Sequence, residues 1–153
     1  MGTDPNRNFD FQWATVGSSD QPCSETFHGS EPFSEAETRN VRDFVLPLKD
    51  QLKHFIDVHS YSQIVITPWG YTSEVPDDWD EMMEVFTRAN EALFAVHGTV
   101  FLVGNTHDIL YPNSGSARDW CKGVAGVKYT TGIELRDEGQ FGFLLPENQG
   151  NGV

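Results

Sequence analysis

His54-Phe55-Ile56-Asp57-Val58-His59 and, after Ser60-Tyr61-Ser62-Gln63, Ile64-Val65-Ile66-Thr67 are two apolar runs of strand length, each too brief for a stable helix. Upstream, Ser34 followed by Glu37 makes a capping-box signature ahead of Val41, Phe44, Val45 and Leu48 at helical spacing. This predicts a helix over Ser34 to Leu52, bent or interrupted near Pro47. Downstream, Pro68, Gly70 and Pro76 punctuate a loop. Met82, Val85, Phe86, Ala89, Leu93 and Val96 then repeat at three and four, predicting a helix from Asp77 to Val96 that Gly98 stops. Val100 to Val103 reads as a strand and Gly104 to Ser116 as loop. Ser116 is placed to cap a short helix over Ala117 to Lys122. Tyr129 to Leu135 is a last strand, and Gly139 to Pro146 an aromatic turn. Strands alternating with helices predict an α/β fold: a mixed, largely parallel sheet flanked by helices.

Composition narrows the classes. A chain of 153 residues is of single-domain size, and 38% hydrophobic with 22% charged residues is a globular balance. Eleven Phe and four Trp supply apolar surface for a core. The net charge of −13 repels phosphate backbones, which argues against a nucleic-acid partner. No apolar run approaches the ~18 residues of a membrane span, so no membrane partner is expected. Met1 to Asn8 is polar and has no signal-peptide core. The first thirty residues are rich in Gly, Ser, Pro, Asn and Asp and read as loop. Cys23 and Cys121 could pair only if the fold brought their Cα atoms close.

Ligands of open α/β sheets gather at the carboxyl ends of the strands, and two ionisable residues fall there, His59 and Glu134. Each also has a plain structural explanation. A strand histidine can be a hydrogen-bonded core residue, and a strand-end glutamate can pair with Arg136. Five blocks tip the balance: Thr3-Asp4-Pro5-Asn6-Arg7-Asn8-Phe9; Cys23-Ser24-Glu25-Thr26-Phe27-His28-Gly29 with the acidic run after it; Asp57 to Gln63 (DVHSYSQ); Tyr111 to Trp120 (YPNSGSARDW); and Ile133 to Pro146 (IELRDEGQFGFLLP). In content and order they resemble the zinc metallocarboxypeptidases of the carboxypeptidase A/B family, across nearly the whole chain.

That resemblance implies a hydrolase that uses one zinc ion to remove the C-terminal residue of peptides and proteins. His59 corresponds to one zinc ligand. The other two, in an H-x-x-E motif, and an oxyanion-stabilising arginine are expected upstream of this chain, so residues 1–153 read as part of a catalytic domain that alone is inactive. Glu134 corresponds to the general base, a role suited to a carboxylate beside an activated water. Asn6 and Arg7 correspond to the grip on the substrate's terminal carboxylate, which a guanidinium fork fits. Tyr111 corresponds to a lid over it, and Tyr61 to a further substrate contact. Arg118 occupies the position that sets side-chain preference. A fixed cation there predicts acidic C-terminal residues, unless Arg118 pairs with Asp119 or points outward. His28-Gly29-Ser30-Glu31 also spells H-x-x-E, but lies in a loop after the NRN block and reads as a decoy. The resemblance implies a disulfide from Cys23 to a residue upstream, and hence secretion; Cys121 reads as a free thiol on a buried helix face. The competing functional class is a non-catalytic module that grips peptide C-termini through Asn6, Arg7 and Tyr111 without metal. A third, zinc amidohydrolases acting on acylated amino acids, is disfavoured by YPNSGSARDW.

Overall fold

The computed structural model describes residues 2–152. Its regular elements are helix α1 (Ala36–Leu48), strands β1 (His54–Ser60) and β2 (Ile64–Thr67), helix α2 (Trp79–His97), strand β3 (Leu102–Asn105), helices α3 (Thr106–Ile109) and α4 (Ala117–Gly123), and strand β4 (Tyr129–Leu135). The four strands form one sheet in the order β1-β4-β2-β3. β1 with β4 and β2 with β3 pair parallel, while β4 runs antiparallel to β2. The last strand therefore slots into the middle, and the sheet is mixed but mostly parallel, as the alternating pattern predicts.

Strand alternation sorts side chains between two layers. On one face Met82 and Phe86 of α2 pack with Val65 and Phe101, joined by Leu93, Val103, Tyr129 and Ile133. On the other, Trp120 and Cys121 of α4 and Val45 of α1 meet Phe9, Ala125 and Val127, joined by Phe55. The ring of Trp120 is edge-on to Phe33, their centroids 5.6 Å apart, and 5.7 Å from Phe9. Because Phe55 faces this second layer, so do Asp57 and His59, two and four residues on. His54, Ile56 and Val58 face the α2 side; the His54 ring meets Phe86 of α2, but α2 does not cover the other two, Ile56 being 47% and Val58 61% exposed. β1 is also an edge strand.

Several boundaries differ from expectation for identifiable reasons. The capping box at Ser34 does not form: the N-cap is Glu35, with no side-chain cap of its own. The buried Asn8 amide does that work from a distance, its Oδ1 accepting from Glu35 N and Thr38 Oγ1 while its Nδ2 donates to Ser34 Oγ. β3 lies two residues later than its apolar run, at Leu102–Asn105, because it is registered on β2 with Thr67 opposite Asn105. The segment expected to be loop after it contains α3, capped by Asn105, whose side chain accepts from His107 N at 2.9 Å. α1 runs through Pro47 and ends at Leu48 rather than at the expected Leu52. α2 stops at Gly98, which adopts the left-handed conformation (φ 71°) open to glycine. Cys23 is exposed, Cys121 is buried in α4, and the two are not bonded to each other. No helix among the described residues is long and apolar enough to cross a membrane.

Trp120 is the largest fully buried side chain. Its replacement by Ala in the full-length protein is expected to cost about 3–5 kcal/mol of stability, read from urea denaturation. A loss below 1 kcal/mol would show that this layer is not a core.

Candidate active site

The decisive geometry is a register. His59 on β1 pairs directly with Glu134 on β4, and parallel partners lie about 4.8 Å apart with side chains on the same face. Both line a cavity of about 320 Å³ with Asn6, Arg7, Tyr111, Asn113, Arg118 and Phe143 among its walls. Of the seven residues singled out in the sequence, six are thus brought together. The exception is Tyr61, which leaves β1 after Ser60 and packs edge-on against Phe143, ring centroids 5.1 Å apart. It reaches the cavity through Phe143, a wall residue the sequence reading passed over.

Each wall residue has a local reason for its place. Asp4-Pro5 starts a 3₁₀ turn over Pro5–Arg7, with Asp4 Oδ1 accepting from Asn6 N. This turn fixes Asn6 and Arg7 side by side. Arg7 is buried, and its guanidinium donates to the carbonyls of Gly17 (3.1 Å) and Asn6 (2.7 Å) and to Tyr111 Oη (3.0 Å). The loop carrying Tyr111 can press this close because Gly115 has no side chain; a Cβ there would collide with the Arg7 carbonyl, and its φ of +70° suits glycine. Asn6 has a second occupation besides facing the cavity. Its Oδ1 accepts from Ala117 N at the start of α4, and its Nδ2 donates to Asp57 Oδ2 at 2.9 Å.

His59 Nε2 lies 2.9 Å from Asp57 Oδ2. Asp57 sits two residues earlier on the same strand face; that i−2 spacing was the available signal for it. The hydrogen-bonded carboxylate raises the His59 pKa above its ordinary value, against burial, which lowers it. Burial raises the Glu134 pKa, and the nearby Asp57 charge adds to this, while His59 and Arg118 pull it back. A carboxylate–imidazole pair of this kind orients the ring and fixes its tautomer, as it does behind metal-bound histidines. No hydrogen bond engages His59 Nδ1 among the described residues. No group of three or more potential ligands that could hold a metal ion occurs among them either.

Arg118 is 2% exposed yet lines the cavity. Its neighbour Asp119, equally buried, approaches Nε at 3.5 Å, but neither Nε nor Asp119 Oδ1 completes a hydrogen bond. Burial raises the Asp119 pKa, against the pull of the Arg118 charge and of Gly70 N, which donates to Oδ2 at 2.8 Å. Nη2 of Arg118 has only long contacts, 3.5 Å to Asn113 Oδ1 and 3.4 Å to Ser116 Oγ. A buried guanidinium with donors this poorly used has hydrogen-bonding capacity to spare for an anion. The Asp119 pairing weighed in the sequence exists, and it leaves the outer nitrogens available.

Residues 1–151 match the family described as zinc carboxypeptidase. The chain belongs to that family. Carboxypeptidase B from Astacus astacus is 52% identical over 148 residues, covering 97% of this chain and 49% of the relative. Human carboxypeptidase O is 44% identical, with 97% and 40% covered. The structure of bovine thrombin-activatable fibrinolysis inhibitor in complex with tick carboxypeptidase inhibitor superimposes with a TM-score of 0.95 at 36% identity, covering 99% of this chain and 52% of that one. This zinc carboxypeptidase chain thus spans less than half the length of the curated relatives just named.

Replacing Asp57 by Asn is expected to lower the His59 pKa, measured by NMR titration of the metal-free protein. The raised folded-state value means that the pair's contribution to stability is full below the unfolded pKa of about 6.5, while Asp57 stays ionised, and is lost as pH rises through the folded pKa. An unchanged His59 titration in the Asp57→Asn protein would contradict the pairing.

Proposed function

We propose that the full-length protein is a zinc-dependent carboxypeptidase that releases the C-terminal residue of peptides, acidic residues preferentially, and that residues 1–153 form the part of its catalytic domain that recognises the chain end. The observation that carries this is the convergence of Arg7, His59, Arg118 and Glu134 on one cavity.

His59, its ring braced by Asp57, would supply one zinc ligand, and the remaining two would come from outside this chain. When bound, the metal supplies Lewis-acid polarisation of the scissile carbonyl and lowers the pKa of a bound water. Arg7 receives the terminal carboxylate: its Nη2 now donates to Tyr111 Oη, and exchanging that neutral acceptor for a charged one strengthens the bond. Tyr111, 46% exposed, is free to move with the incoming chain end and close over it. Asn6 steadies the pair formed by Asp57 and His59 from the other side. Glu134, whose pKa is raised by burial, is a better proton acceptor near neutral pH than an ordinary carboxylate, and takes the proton of the attacking water on its carboxylate oxygen before passing it to the leaving amine. The C-terminal side chain then points at Arg118, where a Glu or Asp carboxylate finds the under-used donors and a Lys meets like charge. The family likeness supports secretion, where a disulfide from Cys23 to a residue outside this chain would persist.

Glu134→Gln in the full-length enzyme is expected to lower kcat by about 10²–10⁴-fold with a smaller change in KM. For substrate choice, matched peptides ending in Glu, Leu and Lys are to be compared by kcat/KM. Glu should be released fastest and Lys slowest; fastest release of Lys would end the acidic reading.

A further inference from the structure

Just beyond the site, β1 and β4 leave the sheet together. Ser60 and Leu135 are their last registered pair, and Leu135 O accepts from Ser62 N (3.0 Å) and Gln63 N (3.2 Å) as the first chain turns away. Tyr61 is thereby set beside the turn that follows β4. One side chain gathers that turn. Asp137 Oδ1 accepts from Gly139 N (2.8 Å) and Gly142 N (3.1 Å), and Oδ2 accepts from Phe141 N (2.7 Å). Hydrogen bonds to an ionised acceptor are stronger than neutral ones, so this carboxylate sets the path of residues 137–142. Asp137 itself stands outside the cavity wall.

What the turn holds is aromatic. A 3₁₀ turn over Gly142–Leu144 starts at one of the gathered amides, and Phe143 is the next residue. Phe143 lines the cavity with Arg7, Arg118 and Glu134 while staying 78% exposed, and its ring meets Tyr61 edge-on. Tyr61 in turn lies against the two glycines: a Cβ on Gly142 would stand 3.0 Å from Cε1, and one on Gly139 3.4 Å from Cε2. Both edges of that ring are therefore backed by residues whose amides share Asp137 Oδ1. A peptide with its end on Arg7 leaves the cavity through the mouth, where the exposed Phe143 ring stands.

We propose that Asp137 is a positioning residue for peptide binding: it holds the Tyr61–Phe143 pair at the cavity mouth, where residues ahead of the scissile bond cross it. This rests on the carboxypeptidase reading given above, but not on the preference for acidic ends. Without the carboxylate, three amides lose their common acceptor, and the backing of Tyr61 and the start of the Phe143 turn loosen together.

The test uses the full-length enzyme and two substrates with the same C-terminal residue. One is a long peptide with apolar side chains ahead of the scissile bond, the other an N-acetylated dipeptide with only glycine there. Asp137→Ala is expected to raise KM for the long peptide about tenfold with kcat within about twofold, and to change neither constant for the dipeptide by more than about twofold. In a Phe143→Ala background the same substitution should add less than about twofold. Asp137→Asn keeps an acceptor for Gly139 and Gly142 and should raise KM for the long peptide only about threefold. An equal rise for both substrates, or an undiminished effect in the Phe143→Ala background, overturns the inference. If Asp137→Ala does not fold, Asp137→Asn decides: a rise confined to the long peptide supports the inference, and equal effects on both substrates overturn it. A wild-type enzyme that releases no C-terminal residue from either substrate fails differently, since it removes the carboxypeptidase reading itself.

Discussion

The pairing of β1 with β4 places His59 opposite Glu134, and the rest of the site is arranged around that fixed distance. Parallel strands hold their registered partners without help from side chains, so an imidazole and a carboxylate are kept on one face before any ligand arrives. The insertion of β4 between β1 and β2 makes this possible. In a simple sequential sheet the two would not be neighbours. Asp57, one pleat earlier on β1, then braces the imidazole.

The cavity sets cations beside carboxylates: Arg7 and Arg118 share its walls with Asp4 and Glu134. The protein carries a net charge of −13, yet the cavity holds two buried guanidinium groups, Arg7 and Arg118. They are differently committed. Arg7 is tied to two carbonyls and a phenol, Arg118 to one poorly aligned carboxylate and two long contacts. Away from bulk water each retains more of its field than a surface arginine. A chain end with two carboxylates, one terminal and one on its side chain, matches two separated cations better than a chain end with one.

Much of this was legible beforehand. β4 was bounded correctly because Tyr129 to Leu135 is flanked by loop signals on both sides, and α2 was found, though it begins at Trp79 rather than Asp77 and ends at His97 rather than Val96, because its apolar stripe and Gly98 agree. Arg7, His59, Arg118 and Glu134 could be named because distinctive residues surround them. What stayed hidden depends on tertiary contact. The capping of α1 is supplied by Asn8, far away in sequence, so a local motif pointed to the wrong cap. β3 takes its limits from pairing with β2 rather than from its own apolar run. Tyr61 was expected at the cavity, but the chain turns after Ser60 and the ring goes to Phe143. The aromatic turn after β4 is plain in the sequence, but its gathering by the Asp137 carboxylate is not, since that shows only in the folded path of the turn.

The most direct measurement is a crystal structure of the full-length protein, with Glu134 replaced by Gln, bound to a peptide ending in Glu. The account predicts the terminal carboxylate on Arg7, the side-chain carboxylate on Nη1 and Nη2 of Arg118, and the scissile carbonyl between His59 and position 134. A peptide whose terminal side chain points away from Arg118, or whose chain end avoids Arg7, would contradict it.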